Sequence, residues 1–301
     1  MARTRRLPRD HWLRRIGELD PQGDAERINA ITARHEFPWD VNQALSFALF
    51  RTFAVPSIGV LLHETGEFTH RTQKRYDDTA LLLDEMGEHG LGSDRGRAAL
   101  RRMNQMHAMY AISEDDLRYV LSTFVVVPAR WLDQHGWRPL CEAERVATTH
   151  YYRELGHLMG LRGLPGSWEE FAASMDAYEA RHFGYDARAR EVADATLRLL
   201  ATFPPFDRLP SRVVTRLSLA LLDEPLLDAL GYPRPTLPER RLASTVLRLR
   251  AAWLRRRPPR LTPVHARDLG NVRCYPDGYD VAALGTFAPT CSREHRRSRP
   301  A

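Results

Sequence analysis

Lysine is almost absent from this chain: of 44 basic side chains, Lys74 is the single lysine and the rest are arginine. A desolvated ammonium can lose its proton and donate a lone pair, which a guanidinium cannot, so the surviving lysine marks a place that arginine would not serve. The competing explanation is a solvated helix face, where lysine ordinarily sits. Cysteine is scarce too. Cys141, Cys274 and Cys291 are odd in number and widely spaced, which argues against a disulfide framework or a zinc site and for a reducing, cytoplasmic setting. The sequence has no glycine-rich phosphate loop and no internal repeat. Its most apolar stretch, 44–62, is broken by Arg51 and Pro56, so no membrane span is expected. The basic start Met1–Arg6 runs into Leu7-Pro8-Arg9-Asp10-His11 instead of an apolar core, so no export signal is expected.

What is present suffices for a large core: 301 residues, 43% of them hydrophobic, in one domain. The net charge of +6 is unevenly spread, with 15 arginines against five acids from residue 234 onward and a mildly acidic body before it. Arg255-Arg256-Arg257 could meet an anionic membrane surface or simply end a solvated helix, where cations suit the dipole. Nucleic-acid binding is not expected, because neither aromatic interleaving nor a helix-turn-helix pattern accompanies the basic tail.

Helical periodicity and capping signals recur along the chain, and no segment reads better as a strand. Short helices are expected over 11–19 and 24–35, and an apolar one through Phe53 with Asp40 as its cap. An amphipathic stretch follows Gly66 to about Glu88. A helix opening at Ser93 or Asp94 runs through Tyr110, and one capped by Ser113 ends where Pro128 interrupts. Further helices are expected over 142–161, 167–182, 186–203, 211–222, 225–230 and 239–256. Residues 64–79 are dense in ionisable groups. A solvated face is the ordinary reading of that density, and a base at Glu67 is the functional one.

The stretch Arg101–Tyr110 concentrates the most chemistry. At helical spacing Leu100, Met103, His107, Tyr110 and Ala111 share one face, so the imidazole points where apolar side chains point. Three methionines within seven residues provide soft walls for a flat apolar guest. Two readings of His107 stand open: a core histidine bonded to a carbonyl or to neighbours of Tyr110, or an axial ligand of haem iron with Arg101 or Arg102 on the propionates. His150 and His157, seven apart on one helix, are too far apart to clamp a metal ion.

Several blocks, in order, resemble the MpaB-type oxygenase family, whose catalytic domain is shared with bacterial rubber oxygenases called latex clearing proteins. They are Arg51-Thr52-Phe53-Ala54-Val55-Pro56, Thr65-Gly66-Glu67-Phe68, Lys74-Arg75-Tyr76-Asp77-Asp78-Thr79, Arg102–Tyr110 and Tyr119–Phe124. Arg153-Glu154-Leu155-Gly156, Met159-Gly160 and Tyr275-Pro276-Asp277-Gly278-Tyr279 complete them. The resemblance implies an all-α, single multi-helix domain with a haem b pocket in a globin-like helical core. It places His107 at the iron ligand and Lys74 on the distal side, and beside these the residues themselves suggest Glu67 as a base and Arg102, Met103 and Tyr110 around the cofactor. Expected boundaries are covering helices over 1–36, a catalytic domain over 37–280 and a basic disordered tail over 281–301. The implied activity is oxidation of a lipophilic, isoprenoid-like molecule by dioxygen, with cleavage of a C=C bond, in the cytoplasm or peripheral to a membrane. A weak peripheral membrane contact, if made, is expected through Arg255, Arg256 and Arg257. A helical binder of haem or lipid that lacks the chemistry is the rival. Asn104 and Ala111 stand where the rubber oxygenases carry arginines, which puts a secreted polymer substrate in doubt.

Overall fold

Helices are the only regular elements among residues 7–286, the part of the chain described by this computed structural model. The all-α expectation holds, and the helices pack as a single domain. Two short helices, α1 (His11–Ile16) and α2 (Ala25–Ile31), come first, and a π-helical turn over Thr32–Glu36 takes up the rest of the expected second helix. They do more than cover the core, since Ile16 and Ile28 are fully buried in a cluster with Ala147.

The apolar helix α3 (Pro38–Phe53) starts three residues earlier than expected, with Pro38 in the first turn, where its missing N–H would lack a partner anyway. Asp40 is therefore no cap. It is buried within the first turn and accepts hydrogen bonds from Arg250 at 2.9–3.1 Å and from Trp131 Nε1 at 3.3 Å. Next come α4 (Pro56–Glu64), α5 (Glu67–His70) and α6 (Thr72–His89). The long stretch expected after Gly66 is thus divided at Arg71, whose φ of −132° leaves the helical region.

Ser93 opens α7 (Asp94–His107) by accepting from Gly96 N at 2.9 Å, and Ser113 opens α8 (Glu114–His135) by accepting from Asp116 N at 3.0 Å. Pro128 does not end α8, contrary to expectation. A proline inside a helix costs about 3 kcal/mol, and burial of Trp131 and Leu132 in the following turn offsets it. The remaining helices are α9 (Glu142–Leu158), α10 (Trp168–His182), α11 (Ala187–Leu200), α12 (Ser211–Leu219), α13 (Glu224–Ala229) and α14 (Leu237–Arg255). The main packing pairs are α3 with α8, α4 with α11, α6 with α7, α8 with α10 and α2 with α9.

Between α14 and residue 286 the chain has only short helical turns and runs back over α6 and α7 as a strap, residues 264–286. Residues 287–301, most of the expected tail, lie outside the described residues. Residues 281–286 are instead packed, with Leu284 fully buried. No single helix among the described residues is long and apolar enough to cross a membrane, although α3 and α4, bent by 99°, meet the length and composition together.

Candidate functional site around His107

The ionisable density on α6 is not a solvated face: Asp77, Asp78 and Glu85 are buried, and each holds the strap. Asp77 accepts from Arg273 N at 2.9 Å and Cys274 N at 2.8 Å, and from Gln73 Nε2 at 2.7 Å. Asp78 takes the Tyr275 hydroxyl and the Lys74 amine, and Glu85 takes the Tyr279 hydroxyl at 2.6 Å. Arg102 completes the attachment from α7, donating to the carbonyls of Leu284 and Thr286. Gly285 lies between these contacts at φ +82°, where a Cβ would come within 2.0 Å of Met106 Sδ. The strap therefore runs directly against the last turn of α7, the turn that presents His107.

His107 is half-buried, and its Nδ1 is wholly buried without a hydrogen-bond partner among the described residues. Burial, followed by the positive charge of Arg75, pushes its pKa down to about 4. At neutral pH the ring is uncharged and keeps a free lone pair. Among the described residues no carbonyl bonds His107 Nδ1, the kind of partner that the core-histidine reading called for.

Arg75 is the residue that sequence reasoning passed over. Its side chain lies over Phe68 at 5.1 Å and donates to Thr79 Oγ1. Burial lowers its pKa, and Asp78, Glu67 and Tyr110 oppose that shift in this order. The signal available in the sequence was its place beside Lys74, the single lysine. Arg75 also lines a cavity of about 180 Å³, with Phe68, Thr79, Leu83, Phe124 and Tyr152 among its walls.

The other expected residues divide between this centre and the strap. Glu67 is buried and paired with Arg71 across one helical turn. Met103 is half-buried among the apolar side chains that α6 and α7 share, and Tyr110 follows α7 within reach of the Arg75 charge. Lys74 Nζ donates to Asp78 at 2.7 Å and to Gly285 O at 3.3 Å, so it fastens the strap. His157 is exposed, and His150 lies in a separate open cleft with Glu26 and Tyr151.

Residues 41–256 match the sequence model of the family described as ER-bound oxygenase mpaB/B'/Rubber oxygenase, catalytic domain. The chain belongs to this family. ER-bound oxygenase mpaB of Penicillium roqueforti (strain FM164) is 36% identical over 200 residues, which are 60% of this chain and 67% of that protein. ER-bound oxygenase mpaB' of Penicillium brevicompactum is 32% identical over 232 residues, 71% of this chain and 54% of its own length. ER-bound oxygenase mpaB of the same species is 32% identical over 230 residues, 70% and 59% respectively. The chain thus spans between about half and two-thirds of the curated relatives it matches. Membership in the mpaB/rubber-oxygenase family identifies the resemblance seen in the sequence and makes this chain a member of an oxygenase family.

The low pKa of His107 has a measurable consequence. Between about pH 4 and 6.5 an unfolded chain protonates this ring while the folded one does not, so stability falls as pH falls through that window. The ring contributes up to about 3 kcal/mol of this loss and no pH dependence above pH 6.5. His35 and His135 are also lowered by burial, so the difference between the native chain and His107→Gln isolates the effect. Urea unfolding of both from pH 4 to 7 is expected to show the shallower slope for the variant. Parallel slopes would place the His107 pKa near its ordinary value.

Proposed function

We propose that this chain is a haem b-dependent oxygenase that uses dioxygen to oxidise a lipophilic, isoprenoid-like small molecule, cleaving a C=C bond. The observation that carries the reading is the buried, neutral and unpartnered His107 nitrogen, at the position that the family resemblance gives to the iron ligand. The donor set fits the group. An uncharged imidazole is the form that ligates iron, and the thioethers of Met103 and Met106 beside it form an adaptable apolar wall. Haem, when bound, supplies the redox chemistry of the reaction.

The protein's own groups would hold and shield that centre. His107 would hold the iron from the end of α7, and Arg102, five residues earlier, would reach a propionate only by releasing the carbonyls of Leu284 and Thr286. Arg75 places a positive charge near the ring, and its apolar neighbours Phe68, Leu83 and Phe124 offer a water-poor lining for a lipophilic substrate. Glu67 serves as base after parting from Arg71. Lys74 reaches the distal side only by leaving Asp78 and Gly285. A substrate of this class partitions into lipid, so we place the protein in the cytoplasm, peripheral to a membrane.

The test is the visible spectrum of the purified chain, with and without added haem, followed by oxygen-dependent formation of carbonyl products from a short-chain isoprenoid lipid. A Soret band and oxygen consumption are expected, and a chain that takes up no haem would overturn the reading. His150→Ala and His157→Ala are expected to keep full haem content, since neither ring shares the His107 environment. Lys74→Arg is expected to change the ferric spectrum, because guanidinium cannot approach iron as a neutral amine can. An unchanged spectrum would leave Lys74 as a fastener of the strap alone.

A further inference from the structure

The last helix, α14, is built with its larger side chains outward. Its inner face buries Ala243, Leu247 and Ala251, whereas Leu242, Val246, Leu249 and Trp253 are 54%, 54%, 66% and 53% exposed. These four positions follow one another at spacings of four, three and four, so they form a single narrow stripe on the solvent side. A surface helix ordinarily carries polar residues there, and an apolar stripe of this kind marks a contact surface. Arginines rim it. Arg241, Arg248, Arg256 and Arg257 are exposed, and none is paired with a carboxylate among the described residues. Arg257 stacks over the Trp253 ring at 4.2 Å, which puts a cation and an amphipathic indole together at one end of the stripe.

We propose that α14 is an interfacial helix that seats this stripe at the headgroup boundary of an anionic lipid surface, its arginines on the lipid phosphates. The inference rests on the membrane-peripheral placement proposed above, which it deepens by naming the surface, and stands apart from the haem reading. Charge selects the occupant. A second copy laid face to face would bring two arginine rims together, and the first-turn acid Glu239 is already held by Arg216 at 2.6–2.7 Å. The chain's own C-terminal residues are no better suited, since 287–301 contain Arg293, Arg296, Arg297 and Arg299 against one acid, Glu294. Duplex nucleic acid would satisfy the arginines and leave the stripe in water. An anionic bilayer surface satisfies both, with the apolar side chains entering the acyl boundary and the cations meeting the headgroups.

The experiment is co-sedimentation of the full chain with vesicles of phosphatidylcholine containing 30 mol% phosphatidylglycerol, against phosphatidylcholine alone, in about 0.1 M salt. Binding to the anionic vesicles is expected, weaker on the neutral ones. Leu249→Glu with Trp253→Glu should reduce it at least about tenfold, because two charges replace the groups that would be buried. Arg256→Gln with Arg257→Gln should reduce it by about fivefold per arginine on anionic vesicles and leave the neutral ones unchanged. All four positions are exposed, so the far-UV circular dichroism should not move. Failure to sediment with the anionic vesicles would overturn the proposal, and so would undiminished binding by Leu249→Glu with Trp253→Glu. A dimer in light scattering that the same variant disperses would assign the stripe to a second copy instead. Binding of duplex DNA that outcompetes the vesicles and survives loss of the stripe would assign the arginines to nucleic acid.

Discussion

Replacing His107 by alanine is expected to lower the haem content of the purified protein at least about tenfold, because a methyl group offers no axial nitrogen. The same variant should fold at least as well without haem, and this separates a ligand from a structural histidine. A core histidine holds the fold through a hydrogen bond, whereas the buried Nδ1 of His107 makes none. Its burial is a cost that alanine removes. Absorbance near the Soret maximum measures the first effect and thermal unfolding of the haem-free chain measures the second. Full haem occupancy in the variant would move the ligand elsewhere, and a large drop in the melting temperature of the haem-free form would return His107 to the core.

The second large effect concerns the strap. Asp77→Ala strands the N–H groups of Arg273 and Cys274 against a fully buried position and leaves the Gln73 amide with the Asn271 carbonyl alone. Hydrogen bonds to a charged group contribute about 1.5–3 kcal/mol each, so a loss of about 3–5 kcal/mol is expected, and Tm should fall by about 6 °C or more. Cys274 provides a local readout. Although the residue is exposed, partial desolvation and then the Asp77 carboxylate hold its thiol pKa up to about 11, which leaves it mostly protonated at pH 8. Release of the strap should speed alkylation of Cys274, followed as the modified peptide so that Cys141 and Cys291 do not interfere. Unchanged alkylation with unchanged Tm would mean that the strap is held without Asp77. Because Lys74 and Arg102 grip the same strap from Gly285 and Leu284, its release should also disturb the surroundings of Met106 and His107.

Local signals sufficed wherever the physics is local. The caps at Ser93 and Ser113 act within three residues, and both are formed as their sequences imply. The 3.6-residue period and the scarcity of strand patterns made the all-α class legible, and the ordered family blocks pointed to the family. Where a distant partner decides, the chain alone misled. Asp40 looks like a cap until Arg250, 210 residues away in sequence, is seen to occupy its carboxylate. Pro128 looks like a stop until the burial of Trp131 and Leu132 is counted.

The same division runs through the candidate site. The sequence by itself determined an all-helical chain of the mpaB/rubber-oxygenase family, with His107 on the apolar face of a methionine-rich helix. It also singled out Lys74 and Glu67 in a stretch rich in charge. Only the tertiary structure decided which charge bears on the imidazole, because residues 75 and 107 are brought together by the packing of α6 on α7. Only it turned the acids of α6 from an apparent solvated face into the clamps of a strap whose residues come nearly 200 positions later. Periodicity reports which way a side chain points on its own helix. What that side chain meets is fixed by long-range packing, where burial makes each unpaired polar group costly and so dictates its partner.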